Sequence, residues 1–239
     1  MNSLGKFSIT PQESLDFARA SGDYNPLHLD PVAARRTRFG HTLIHGVCGT
    51  IRALDLLLRR RGSRSTLASI KVKYNKPATQ GQELEAFEQT TDGVTRIELY
   101  ADGTRCQVID IEFAQSPAPS PSSSARLSAC DADQELPLDL RIEDCNGVSG
   151  SVALGWNEAL MTSLFPNATR HLAPAQLAVL LASTRIVGMK CPGLHSVFAR
   201  LEIDFQAPAT GTAARENASL VYRALSTDPR IDRVELELL

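Results

Sequence analysis

Aromatic residues make up only 5% of this 239-residue chain, with a single tryptophan, which leaves little for stacking nucleic-acid bases. Charge of one sign is missing too. Against 27 Asp and Glu stand 25 Lys and Arg, a formal net charge of −2, which argues against a nucleic-acid binder that relies on overall basicity. The five cysteines, Cys48, Cys106, Cys130, Cys145 and Cys191, are odd in number and show no Cys-x-x-Cys spacing. Zinc-ribbon, thioredoxin-like and disulfide frameworks are disfavoured accordingly. No uncharged run of about 20 apolar residues is available to span a bilayer, and no apolar stretch behind Lys6 reads as a secretory signal. The expectation is a soluble, cytoplasmic globular protein. Its 43% hydrophobic residues build a core without metal or disulfide staples.

Residues 116–124, Ser-Pro-Ala-Pro-Ser-Pro-Ser-Ser-Ser, hold no side chain that builds a core and bias the backbone toward extended polyproline conformation. They divide the chain into residues 1–115 and 126–239, with 116–125 as a linker. The halves repeat one pattern: Ile70, Val72, Tyr74, Pro77, Ala78 and Thr79 return, identically or by type, as Leu201, Ile203, Phe205, Pro208, Ala209 and Thr210. Both segments alternate apolar and polar residues as half-buried strands do, and each stops at a proline. Ahead of the first lies a helical pattern through Ile44, Val47, Cys48, Ile51, Leu54 and Leu58. Ahead of the second lies a helix opened by Pro174, with Gly188 as its expected stop. Asp92-Gly93 and Asp102-Gly103 are hairpin signals joining strands near 83–89, 95–100 and 106–113. The second half offers only 218–225 and 231–239 beyond its shared strand, so the last strand of that copy is expected to be missing. An α+β fold follows, an antiparallel sheet wrapping a buried helix, made twice.

Candidate chemistry sits ahead of the first helix. Thr10, Pro11 and Glu13 form a capping box; the helix they open must break near Gly22, and Asn25-Pro26 forces a turn. Asp23 and His28 then share one loop, where a carboxylate and an imidazole can converge on a single water for general acid/base work. On residue types alone the blander alternative stands beside it: Asp23 and Asn25 as turn residues bonding their own backbone, His28 as a satisfied, partly buried histidine.

Ser21-Gly22-Asp23-Tyr24-Asn25-Pro26-Leu27-His28-Leu29-Asp30, followed by Phe39-Gly40 and Leu43-Ile44-His45-Gly46, resembles the hydratase motif of the MaoC-like dehydratases, which include the (R)-specific enoyl-CoA hydratases and have the hot-dog fold. The likeness covers about 110 residues; the second half has no copy of the motif. The resemblance therefore implies a double hot-dog, a pseudo-dimer with one active site and no metal or cofactor. By residue, it implies Asp23 and His28 as the catalytic pair, Asn25 as the loop-fixing residue, and Gly46 as the helix-start residue whose N–H binds the thioester oxygen. His28 is assigned the proton on water and Asp23 the second proton, with the donor to C2 left open. The activity implied is (R)-specific 3-hydroxyacyl thioester dehydration, or enoyl thioester hydration, on acyl-CoA or acyl carrier protein substrates.

Near the motif, His45 reads as a capping or packing residue and Ser21 as a turn-closing one, since no nucleophile elbow surrounds it. Cys191 and His195 allow a nucleophilic pair, but a Pro-Gly turn entering a strand is the blander reading. From Arg35 to Lys76 there are eleven Lys and Arg and one acid, Asp55. That excess is either a solvated face or a landing site for coenzyme A phosphates or an acidic carrier protein, with Arg59 and Arg60 as candidates. A membrane surface is the weaker third reading. The rival functions are a hot-dog thioesterase and a non-catalytic acyl-binding module. The missing strand hints at a further domain on the same natural chain, which favours the second rival; the expected state is a monomer, as a pseudo-dimer, or a homodimer.

Overall fold

Two tight turns fix the register of the first sheet. Asp92 and Gly93 take φ values of 51° and 82°, Asp102 and Gly103 values of 49° and 71°. Left-handed backbone at both central positions gives the type I′ connection, whose twist matches that of the strands it joins. The computed structural model describes residues 1–115, 127–129, 135–194, 196–205 and 218–239. The turns link β3 (Leu84–Thr91), β4 (Val94–Ala101) and β5 (Thr104–Phe113). With β1 (Asn2–Phe7) beside β3, and β2 (Leu67–Tyr74) beside β5, the order is β1-β3-β4-β5-β2, antiparallel throughout.

Against this sheet packs α4 (Gly46–Leu58). Val47, Cys48, Ile51, Leu54, Asp55 and Leu58 are buried along one face and Gly49, Thr50, Ala53 and Leu57 around the rest, so nearly every face of the helix is covered. Ile51 and Leu54 share a cluster with Ile70, Ile97 and Ile109 of the sheet.

The second half repeats the plan. Its strands β7 (Ser149–Ala153), β10 (Ser219–Asp228) and β11 (Arg233–Leu238) are ordered β7-β10-β11, matching β1-β3-β4. α7 (Pro174–Arg185) takes the place of α4, and β6 (Ser128–Ala129) and β8 (Gly155–Trp156) form a short parallel pair. β9 (Arg200–Asp204) leaves its own half and extends the first sheet beyond β2. Among the described residues no strand lies between β11 and β9, where β5 would stand by analogy with the first half.

The pairing of β2 with β9 shows how the repeats meet. Ile70 faces Ile203, Lys71 faces Glu202, and Val72 faces Leu201. In the sequence repeat Ile70 corresponds to Leu201 and Val72 to Ile203. Ile70 and Val72 therefore each face the other's counterpart, Lys71 faces its own, and a local two-fold axis runs through Lys71 and Glu202. The halves also share a core. Met161, Phe165, Leu177 and Leu181 from α5 (Glu158–Leu164), the residues just after it and α7 join Ile51 and Leu54 in one cluster. Asp55 of α4 accepts from the backbone N–H groups of Asn167 and Ala168 at 2.7 and 2.9 Å, capping α6 (Pro166–His171) from the other half.

One expected element differs. Gly188 does not stop α7; the chain runs on through it as a π-helical turn, Ile186–Lys190. The linker at 116–125, Pro208-Ala209-Thr210 and His195 lie outside the described residues.

Candidate active site

The segment that carries Asp23 and His28 is built from successive helix caps. α1 (Pro11–Ser21) opens with the expected capping box: Glu13 N–H donates to Thr10 Oγ1 at 3.1 Å, and Thr10 N–H donates to Glu13 Oε2 at 2.9 Å. It ends at Gly22, whose φ of 75° is open to glycine at little cost. Ser21 closes the turn as expected. Its hydroxyl donates to the Phe17 carbonyl at 2.8 Å and accepts from Asp23 N–H at 3.2 Å. The following segment is not a plain loop. Asn25 Oδ1 accepts from Leu27 N–H at 3.0 Å and caps a single helical turn, α2 (Pro26–Leu29), which carries His28. Asp30 then caps α3 (Pro31–Arg35), accepting from Val32 and Ala33 N–H groups. Proline at the first position of each short helix sets φ where a missing N–H costs nothing.

These caps bring Asp23 and His28 together in the interior, 1% and 7% exposed. His28 Nδ1 lies 3.1 Å from the Leu43 carbonyl. A carbonyl only accepts, so Nδ1 carries the hydrogen and Nε2 keeps a free lone pair, the tautomer of a base. Burial lowers the His28 pKa from its ordinary value, against the opposing pull of Asp23 and the Leu43 carbonyl. It raises that of Asp23, against His28, the Thr184 hydroxyl and Asn25 N–H.

Of the two roles expected for His45, packing is the one it takes: it stands at the N-cap position of α4 but makes no side-chain capping bond. Its Nε2 donates to the Asp23 backbone carbonyl at 3.0 Å, and its ring stacks on His28 with centroids 4.0 Å apart. Phe17 packs against it at 4.9 Å. Its Nδ1 is buried without a partner, and burial followed by the neighbouring His28 drives its pKa well below the ordinary imidazole value. Donor atoms of Asp23, His28 and His45 all lie within 4.8 Å of one another. The two rings are tilted by 32°.

Much of the wall comes from the second half. Thr184 Oγ1 donates to Asp23 Oδ2 at 2.6 Å, and Asn25 Nδ2 donates to the carbonyls of Gly188 and Gly193 at 3.0 and 3.3 Å. A Cβ on Gly188 would stand 2.3 Å from Asp23 Oδ1, so only glycine admits the carboxylate there. π-Helical turns of this kind recur at functional sites. Sequence reasoning missed Thr184 and misread Gly188, because both act across more than 160 residues and no local pattern marks such a contact.

Gly46 begins α4, where unsatisfied N–H groups and the positive end of the dipole gather. A Cβ there would meet Tyr74 Cε1 at 2.8 Å, so close packing adds a reason for glycine. Gln107 Nε2 donates to the Gly46 carbonyl at 3.1 Å and its Oε1 accepts from Thr50 at 3.1 Å, steadying that first turn. Arg59 and Arg60 are not brought to this site. They follow the far end of α4, about 20 Å from Gly46 at the usual rise per residue. There Arg59 reaches the Leu4 carbonyl at 3.4 Å, and Arg60 reaches the Ser3 carbonyl at 2.6 Å and Glu88 at 3.1 Å. An open groove of about 440 Å³ beside the β2–β9 seam, with Lys71, Glu112, Glu202 and Asp204 in its walls, holds none of the candidate residues. No helix of the described residues is long and apolar enough to cross a membrane.

Fold and site together define a double hot-dog protein with an Asp–His pair built on its first half. The chain aligns over 100% of its length, and 87% of the other, with a conserved hypothetical protein of Mycobacterium tuberculosis described as having a double hotdog fold, at a TM-score of 0.63 and 13% identity. Residues 5–105 match the family model described as the MaoC like domain. Among curated proteins, the chain is 30% identical over 99 residues to the peroxisomal multifunctional enzyme type 2 of Drosophila melanogaster, covering 40% of this chain and 14% of that one. It is 35% identical over 75 residues to the peroxisomal hydratase-dehydrogenase-epimerase of Neurospora crassa, covering 31% of this chain and 8% of that one. The chain thus spans only a small part of the length of these relatives.

Proposed function

We propose that this protein is a hydro-lyase, an (R)-specific 3-hydroxyacyl thioester dehydratase or enoyl thioester hydratase acting on acyl-CoA or acyl carrier protein substrates. The observation that carries the reading is the buried convergence of the Asp23 carboxylate and the His28 imidazole, on the same segment that leads into the N-terminus of α4. The matched hydratase-dehydrogenase-epimerase and the MaoC-like domain support it; the R stereochemistry rests on the family resemblance.

Hydrating a 2-enoyl thioester requires a water activated at C3, a proton delivered to C2, and stabilisation of the negative charge that develops on the thioester oxygen. His28, with Nδ1–H tied to the Leu43 carbonyl, accepts the water's proton at Nε2. Asp23 holds or exchanges the second proton. Asn25 fixes the loop through its bonds to Gly188 and Gly193, and Gly46 N–H at the start of α4 receives the thioester oxygen. The dehydration direction reverses these roles. Arg59 and Arg60 remain the candidates for a carrier's phosphates, on the charge excess from Arg35 to Lys76 alone.

The test is loss of enoyl absorbance from a crotonyl or longer enoyl thioester, assayed beside free thiol release. Asp23→Asn and His28→Ala should each lower turnover at least about a hundredfold, within the range such groups contribute, with the folded state retained. Turnover within about tenfold for both variants would refute the assignment, and thiol release without hydration would transfer it to the thioesterase reading.

A further inference from the structure

Threonine hydroxyls inside helices ordinarily return to a carbonyl one turn back. Thr50 does so with Gly46 at 3.2 Å, and Thr169 with Phe165 at 3.0 Å. Thr184, near the end of α7 and 3% exposed, does not. Its Oγ1 donates instead to Asp23 Oδ2 at 2.6 Å, across 161 residues of sequence. An O–H···O⁻ bond of that length is of the charge-assisted kind, about twice as strong as a neutral one. Among the described residues the other carboxylate oxygen has only the longer contact with Asn25 N–H, at 3.3 Å, and Gly188 leaves room for it without a Cβ.

We propose that Thr184 is a positioning residue for the proton chemistry of the first half, its hydroxyl fixing the Asp23 carboxylate in the orientation that faces His28. The half without the Asp-x-Asn-Pro-x-His motif thereby completes the site of the half that has it. The role rests on Asp23 and His28 being the reacting pair. A hydroxyl donating to a carboxylate favours the ionised form, so removing it moves Asp23 toward the protonated form. The other groups beside Asp23 are His28 on α2 and His45 ahead of α4; Arg185 lies against the adjacent Gly22, its guanidinium engaged by Glu135 at 3.4 Å. Lys190 also pairs with Glu135, at 2.7 Å. Among the described residues, none of these four donates to the Asp23 carboxylate, which is held by Thr184 and Asn25 N–H.

Thr184→Val keeps the branched shape and removes the donor, whereas Thr184→Ser keeps the donor. In Thr184→Val, kcat should fall about tenfold with KM within about twofold. The carboxyl titration of Asp23, read by carbon-13 NMR, should move upward by about one pH unit, the size expected from losing one bond to a charged group. Thr184→Ser should restore both. Thr184→Ala, which removes the same hydroxyl, serves if the valine variant does not fold. An unchanged Asp23 titration, or a serine variant that behaves like the valine one, overturns the role of Thr184. A wild-type protein that leaves enoyl thioesters untouched while the titration still moves overturns the reaction, a different result.

Discussion

At the scale of single residues, the site holds two stacked imidazoles, of which the proposed reaction uses only His28. His45 holds the Asp23 carbonyl and keeps an orphan nitrogen inside the core. For His28 and His45 alike, burial lowers the folded-state pKa below the ordinary 6.5. Below that value the unfolded chain takes up protons that the folded one refuses, so these groups lose stability as pH falls. Asp23, raised by burial, works in the opposite sense, its contribution declining as pH rises above the ordinary carboxylate value. His45→Phe should therefore flatten part of the fall in thermal midpoint between about pH 7 and pH 5. Equal pH slopes for variant and wild type would show that His45 is not buried in its neutral form.

The elements divide into those the sequence displays and those it hides. The hairpins β3–β4 and β4–β5 are legible because Asp-Gly pairs at both turns leave few alternatives, and α4 is legible from its periodicity. β1 escapes such reading because only Leu4 is buried in it, and a bulge lies between Ser3 and Gly5, so no alternation survives. α5 and α6 are too short to show a period, while Asp23, Asn25, His28 and Gly46 stand in one compact motif. Gly188 misled because a glycine near a helix end usually marks the stop, while here it makes room for a carboxylate. Gly188→Ala sets two effects against each other. Helix propensity favours alanine by about 0.8–1 kcal/mol, yet the new Cβ would fall 2.3 Å from Asp23 Oδ1. The expected result is a thermal midpoint little changed and turnover lowered by more than about tenfold, the loss that follows when a positioned proton-transfer group is displaced. Normal turnover would mean that the carboxylate is free to move aside.

For the whole molecule, the local charge excess from Arg35 to Lys76 predicts a salt-dependent encounter with an anionic carrier. Screening shortens from about 10 Å at 0.1 M to about 3 Å at 1 M. KM for an acyl-CoA substrate should therefore rise with salt, while an N-acetylcysteamine thioester, lacking phosphates, should show almost no response. Charge reversal at Arg59 and Arg60 separates two roles. A rise in KM for the CoA thioester marks a landing site, whereas a lower thermal midpoint with KM unchanged marks struts that hold β1 through Ser3, Leu4 and Glu88.

The seam at Lys71 and Glu202 has a consequence for how such a molecule evolves. In a homodimer, the residue on the axis confronts its own copy, so a charge there opposes an equal charge and every substitution is made twice. Joining the copies in one polypeptide releases both constraints. A lysine can then face a glutamate across the axis, and each copy can specialise without the other following. One copy carries the Asp23–His28 pair. The other is free to be moulded around it, down to a glycine that fits against the carboxylate.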